Sequence, residues 1–149
     1  ILSMLDLENP RLAMDHLTTN QVTLCPSVFI ARSFSKNGNK VYQYHFTRMR
    51  EGSEKILSYH GAEIPYVFNT HDEWLPTNEV DQQLTEAMME YWVEFAKKGT
   101  PNSINNPTWK EFGTEENYLI LDLPLLNSSK LENEFCEIMI NELVQRANY

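Results

Sequence analysis

The sequence predicts an α/β fold, and three observations carry that expectation. Two β-rich segments, KVYQYHFTR at residues 40–48 and NYLILDL at residues 117–123, are interleaved with segments of helical period. A long, aromatic-containing connection over residues 48–78 separates the first strand from the helix that follows. The resulting order of helix, strand, long loop, helix, strand, helix is the grammar of a sheet flanked by helices. Two strands make a poor sheet alone. The chain therefore reads as the terminal third of something larger, and its opening on Ile1 rather than Met fits a processed chain or an excised piece.

Each element has a local reason. NPRLAMDHLT predicts a short helix with Asn9 as cap and Pro10 at the first helical position. CPSVFIARSFSKNGN predicts a second, with Pro26 near its start, Val28, Phe29, Ile30 and Phe34 for burial, and Lys36 and Gly38 at its end. VYQYHF alternates, with Tyr42, Tyr44 and Phe46 on one face and Val41, Gln43 and His45 on the other. Residues 48–78 hold Gly52, Gly61, Pro65 and Pro76 and little regular structure. Tyr59, Tyr66, Phe68 and Trp74 within them argue against disorder and for a functional loop. The clearest helix has Asn78 as cap, Asp81 three residues on, and Leu84, Met88, Tyr91, Trp92 and Phe95 as one stripe. Lys97, Lys98, Gly99 and Pro101 stop it. After the strand NYLILDL, SSKLENEFCEIMINELVQRA predicts a final helix. Ser129 and Glu132 form its expected capping box, and Phe135, Cys136, Met139, Ile140 and Leu143 its buried side.

Composition excludes several classes of function. The 149 residues suffice for one domain with a core. No apolar run approaches the roughly 20 residues of a membrane span. The net charge of −9 repels phosphate backbones, which argues against nucleic acid as a partner. The two cysteines, Cys25 and Cys136, form no CxxC, and the four histidines have no metal-ligand spacing with them or with each other. Glycine-rich phosphate loops are absent.

Among the histidines, His60 stands out. It follows the strand VYQYHF, and open α/β sheets place their chemistry beyond the carboxyl ends of strands. Gly61 beside it permits a tight turn. His16 falls in a helix-like stretch and His45 within a strand. His71, beside Asp72 and Glu73, reads most simply as surface. An imidazole of this kind suits a general base, which in ester hydrolysis takes the proton of a nucleophile. A nucleophile elbow would read GxSxG, and no serine of this chain has glycines at that spacing.

The run CPSVFIARSFSKNGNKVYQYHFTR, then YHGAEIPYVF, then LTEAMMEYWVEFAKKGTPN followed by Trp109, resembles the C-terminal part of type B carboxylesterases. These are the cholinesterase and lipase relatives among the α/β-hydrolases, and the likeness runs from about Cys25 to about Val144. It implies that residues 1–149 are the C-terminal fragment of a single α/β-hydrolase domain, with few strands, flanking helices and a long loop carrying a catalytic histidine. By match to the family's HGxE segment, His60 is the general base of a Ser–Glu–His triad, Gly61 lets its ring project, and Glu63 is a supporting residue. The serine, the triad glutamate and the glycine-rich oxyanion hole lie upstream of the matched region. IPYVF and Trp74 read as packing ahead of lining a substrate gorge. The implied reaction is cleavage of small-molecule or lipid esters through an acyl-enzyme, without a cofactor. Its implied partner is the remaining N-terminal part of the hydrolase domain.

The resemblance also implies a disulfide between Cys25 and Cys136, where the residues alone leave open two separate buried thiols. A disulfide points to a secreted or periplasmic protein, and the sequon Asn127–Ser128–Ser129 fits secretion in a eukaryote. Two other readings stand beside the esterase: an inactive cholinesterase-like adhesion or binding domain, and a free-standing small α/β binding domain.

Overall fold

A computed structural model of the chain describes Leu5 and residues 8–147. Helix α1 spans Pro10–Thr19, with Asn9 accepting a hydrogen bond from the Leu12 N–H at its cap. It does not end before the next helix. A π-helical turn, Asn20–Leu24, carries it directly into α2, Cys25–Lys36. Pro26 explains the turn: proline has no N–H to give the carbonyl four residues back, and its ring crowds that carbonyl. The backbone widens, and the Cys25 N–H reaches back five residues to Asn20.

Strand β1 (Gln43–Phe46) lies parallel to β2 (Asn117–Leu121), with Tyr44 opposite Leu119 and Phe46 opposite Leu121. A third strand, β3 (Leu126–Ser129), pairs antiparallel with β2, giving the order β1-β2-β3. Sequence reasoning missed β3: Ser128 and Ser129 were assigned to the start of the final helix, and Leu126 and Asn127 to no element. The expected capping box of Ser129 and Glu132 does not form. Ser129 ends β3, Lys130 and Glu132 adopt positive φ, and helix α5 begins only at Asn133 and runs to Ala147. The Glu132 carboxylate instead meets His16 Nε2 at 3.1 Å and accepts from the Asn20 side chain.

Residues 48–78, expected to hold little regular structure, contain one short helix, α3 (Ile64–Phe68), and the expected long helix, α4 (Glu79–Lys98), follows. At the start of α4 the expected box is present: Asn78 Oδ1 accepts from the Asp81 N–H, and the Asp81 carboxylate accepts from the Asn78 N–H. Gly99, at φ +69°, closes the helix in the left-handed region that favours glycine.

Two clusters form the interior. Leu84, Met88 and Tyr91 of α4 pack with Trp109 and with Leu119 and Leu121, which the period of two puts on one face of β2. Truncating a fully buried leucine such as Leu84 to alanine costs about 2–5 kcal/mol. The second cluster joins α2 to α5 through Val28, Phe135, Met139, Ile140 and a disulfide between Cys25 and Cys136, with S–S 2.08 Å and Cα–Cα 5.0 Å. Arg32 links the clusters. It donates to both carboxylate oxygens of Glu116 at 2.6 and 2.9 Å, at the entry to β2, and pairs with Glu137 of α5 at 2.7 Å.

Several side chains expected to be buried are not. Phe29, Ile30 and Phe34 of α2 are 45%, 55% and 56% exposed, and Phe95 and Leu143 are also exposed. The helix packs through Cys25, Val28 and Ala31, and among the described residues nothing covers its other apolar side. Ile64, Phe68, Met89 and Val93 make a second exposed apolar face on α3 and α4.

These faces predict that the purified 149-residue chain self-associates, with concentration-dependent sedimentation and strong binding of a hydrophobic dye. A monomer with one sharp unfolding transition would contradict this. The disulfide spans 111 positions. In the full-length protein, replacing both cysteines (Cys25→Ala, Cys136→Ala) should lower the unfolding free energy by up to about 4–5 kcal/mol on the chain-entropy account. An unchanged denaturation midpoint would show that the helices need no tether.

Candidate functional site

β1 ends at Phe46, and the chain turns through residues 47–63 before entering α3. His60 lies in this turn with an exposed side chain. Gly61 follows at φ +85°, and a Cβ built there would meet Ile64 Cδ1 at 3.4 Å. The φ favours glycine, which adopts it without strain. Among the described residues no side chain makes a hydrogen bond or ion pair with the His60 ring.

A groove of about 490 Å³ runs beside this turn. Ile30 and Ala31 of α2 form one wall, β1 from Gln43 to Phe46 forms the floor, and Tyr59, His60, Gly61 and Glu63 form the end. No second strand among the described residues pairs with the outer edge of β1. The structure thus brings His60, Gly61 and Glu63 to one place, at the carboxyl end of a parallel strand. Cys25 and Cys136 serve elsewhere, joining the helices. The Glu63 backbone carbonyl accepts from the Tyr66 and Val67 N–H groups as α3 begins. Its side chain faces Tyr44: burial first, and then the Glu63 charge, hold the Tyr44 phenol above its ordinary value.

Arginines impose the shape of the turn. Arg50, buried, donates to the carbonyls of Asp72, Leu75 and Pro76 and to Thr77 Oγ1. The Ser53 hydroxyl donates to the Arg50 carbonyl at 2.7 Å, and the Ser58 hydroxyl to the Arg48 carbonyl at 3.2 Å. Arg48 Nε donates to the fully buried Asp81 at 2.7 Å, and the Tyr66 hydroxyl donates to the same oxygen at 2.7 Å. Hydrogen bonds from Arg48, Asn78 and Tyr66 outweigh the cost of burial and hold the Asp81 carboxyl below its usual range. Sequence reasoning passed over Arg48 and Arg50, and read Asp81 only as part of the helix cap. The available signal was the pair of arginines in RMR directly after the strand, with an acid at the third position of the next helix.

His71, read as surface, is half-buried. Its ring stands edge-on to Tyr66 at 4.8 Å, and its Nε2 lies 2.7 Å from Thr85 Oγ1. That hydroxyl gives its single proton to the Asp81 carbonyl, so it accepts from His71, which fixes the proton on Nε2. Nδ1 is buried without a partner among the described residues. His45 lies half-buried in β1. Among the described residues, no group of three or more His, Cys, Asp or Glu side chains could hold a metal ion.

The chain therefore combines helices and a small mixed sheet with an exposed imidazole in the turn after a parallel strand, and comparison with known proteins supplies the family. Residues 3–139 match the carboxylesterase family. Carboxylesterase 1E of Rattus norvegicus is 30% identical over 114 residues, covering 73% of this chain and 20% of that protein. Cocaine esterase of Homo sapiens is 31% identical over 114 residues, covering 72% and 20%. Carboxylesterase 1D of Mus musculus is 26% identical over 155 residues, covering 97% and 27%. The chain belongs to the carboxylesterase family, as its C-terminal part, and spans about a fifth to a quarter of the length of these relatives.

Burial pushes the imidazoles of His45 and His71 below the ordinary 6.5, with Arg50 adding to the effect at His71. As pH falls through 6.5 the unfolded chain therefore takes up protons before the folded one, and stability held above that pH is lost going down. The unfolding temperature of the full-length protein should drop between about pH 7.5 and pH 5.5. The double variant His45→Gln, His71→Gln should flatten that slope. An unflattened slope would place the titrating groups elsewhere.

Proposed function

We propose that this chain supplies the general base of a serine hydrolase of carboxylic esters, and that His60 is that base. The observation that carries the reading is the placement of His60. Its ring is exposed, unpaired among the described residues, mounted on the Gly61 turn and set at the carboxyl end of β1, in a chain of the carboxylesterase family. A base that must form and release bonds to a nucleophile is better left without a competing internal partner.

The nucleophilic serine and the acid that orients His60 come from protein outside these 149 residues, since no serine here stands in a GxSxG elbow. His60 takes the proton as the serine oxygen attacks the ester carbonyl, then returns it to the departing alcohol, leaving an acyl-enzyme. It next takes a proton from water as the water attacks the acyl group. That proton goes back to the serine when the carboxylic acid leaves. Glu63 supports the turn through its backbone carbonyl. The substrate class is small-molecule or lipid esters. The disulfide supports maturation in an oxidising compartment, hence a secreted or periplasmic protein.

In the full-length protein, His60→Ala should lower kcat on the order of 10³-fold or more with the fold intact. His16→Ala should matter far less, because that ring is engaged with Glu132. Near-full activity in the His60 variant would falsify the assignment.

A further inference from the structure

The geometry points to Asp81 as a positioning residue for His60: one buried carboxylate latches the chain on both sides of the turn that carries the imidazole. Arg48 precedes His60 by 12 positions and Tyr66 follows it by six, and both donate to the same oxygen, Asp81 Oδ1, at 2.7 Å. The two residues thereby close the intervening segment into a loop whose ends cannot move apart without breaking a charge-assisted hydrogen bond. A third tie shortens the free part. The Ser58 hydroxyl, two residues before His60, donates to the carbonyl of Arg48 itself.

The carboxylate is well placed for this work. It has no exposed surface. Its second oxygen accepts from the Asn78 N–H, so the latch is fixed to the first turn of α4, the helix that packs on the sheet. Burial makes each contact costly to lose, since a freed donor would remain away from water. Asp72 also joins the two sides, pairing with Arg50 at 3.5 Å and accepting from the Trp74 and Leu75 N–H groups, but it is about half exposed and its tie to Arg50 is long, whereas Asp81 is fully buried with both ties at 2.7 Å. Asp122 lies 3.8 Å from Arg48 but is partly exposed, and it accepts from the N–H of its own neighbour Leu123, outside the segment that carries His60. This role rests on His60 acting as the base.

The full-length protein tests it with Tyr66→Phe, Asp81→Asn and the double variant Asp81→Asn, His60→Ala, each corrected for its folded fraction by near-ultraviolet circular dichroism. A base displaced by about 1 Å can lose on the order of 100-fold in rate. Tyr66→Phe should lower kcat about tenfold and Asp81→Asn about 100-fold, both with KM little changed. In the His60→Ala background Asp81→Asn should cost nothing further, because an arm that aims an absent ring has nothing to aim. Unchanged kcat per folded molecule in both single variants, or a full additional loss in the double variant, would overturn the positioning role while leaving His60 as base. If Asp81→Asn does not fold, Tyr66→Phe decides alone. Should His60→Ala itself keep its activity, the reading of the base and the positioning role fall together.

Discussion

The parallel pairing of β1 with β2 is the constraint on which the rest of the structure depends. Parallel neighbours cannot be joined by a tight turn. The chain must leave one end of the strand, cross a face of the sheet and come back to the other end. Here the crossing runs from residue 47 to residue 116 and holds the His60 turn, α3 and α4. Register then fixes which side chains meet. With Tyr44 opposite Leu119 and Phe46 opposite Leu121, both leucines face α4. A slip by one residue would turn them away and present Tyr118 and Ile120 instead.

Different physics holds different parts of this crossing. The helix and the strands are joined by apolar area, through Leu84, Met88, Tyr91 and the two leucines. The turn between β1 and α3 buries Ala62 alone among its apolar side chains and is organised by arginine. Arg50 collects backbone carbonyls that a helix or strand would otherwise satisfy, and Arg48 supplies a counter-charge to a carboxylate removed from water. Such a turn is specified by geometry more than by area, since each donor has one place to go. The α2–α5 layer is held by a third means, a covalent bond set within six buried side chains.

Much of this was legible in the sequence. Caps were the clearest: Asn9 and Asn78 act as read, because capping is settled within four residues and owes little to tertiary context. The turn that carries His60 was legible from HGAE, though not the arginines that shape it. Their partners lie up to 33 positions away in sequence, beyond the reach of local pattern. Burial in α2 was misread as well. Phe29, Ile30 and Phe34 carry an apolar signal, yet all three are exposed among the described residues. Ser129 and Glu132 had the spacing of a capping box, and pairing of β3 with β2 overrode it. The π-helical turn was readable only in part: Pro26 announces a disturbance, but whether the helix stops or widens depends on what anchors it on either side.

The bond between Cys25 and Cys136 makes most of the chain a covalent ring, and the polar segment between α4 and β2 lies on that ring. Ile104, at its tip, is completely exposed. A protease that cuts there does not release a piece. The segment bearing β1 and His60 stays joined through sulfur to the segment bearing β2, β3 and α5. Such damage leaves the mass on a non-reducing gel unchanged and becomes visible only when a thiol is added. The molecule can thus be nicked and yet remain in one piece, its two halves held in register by a bond remote from the break.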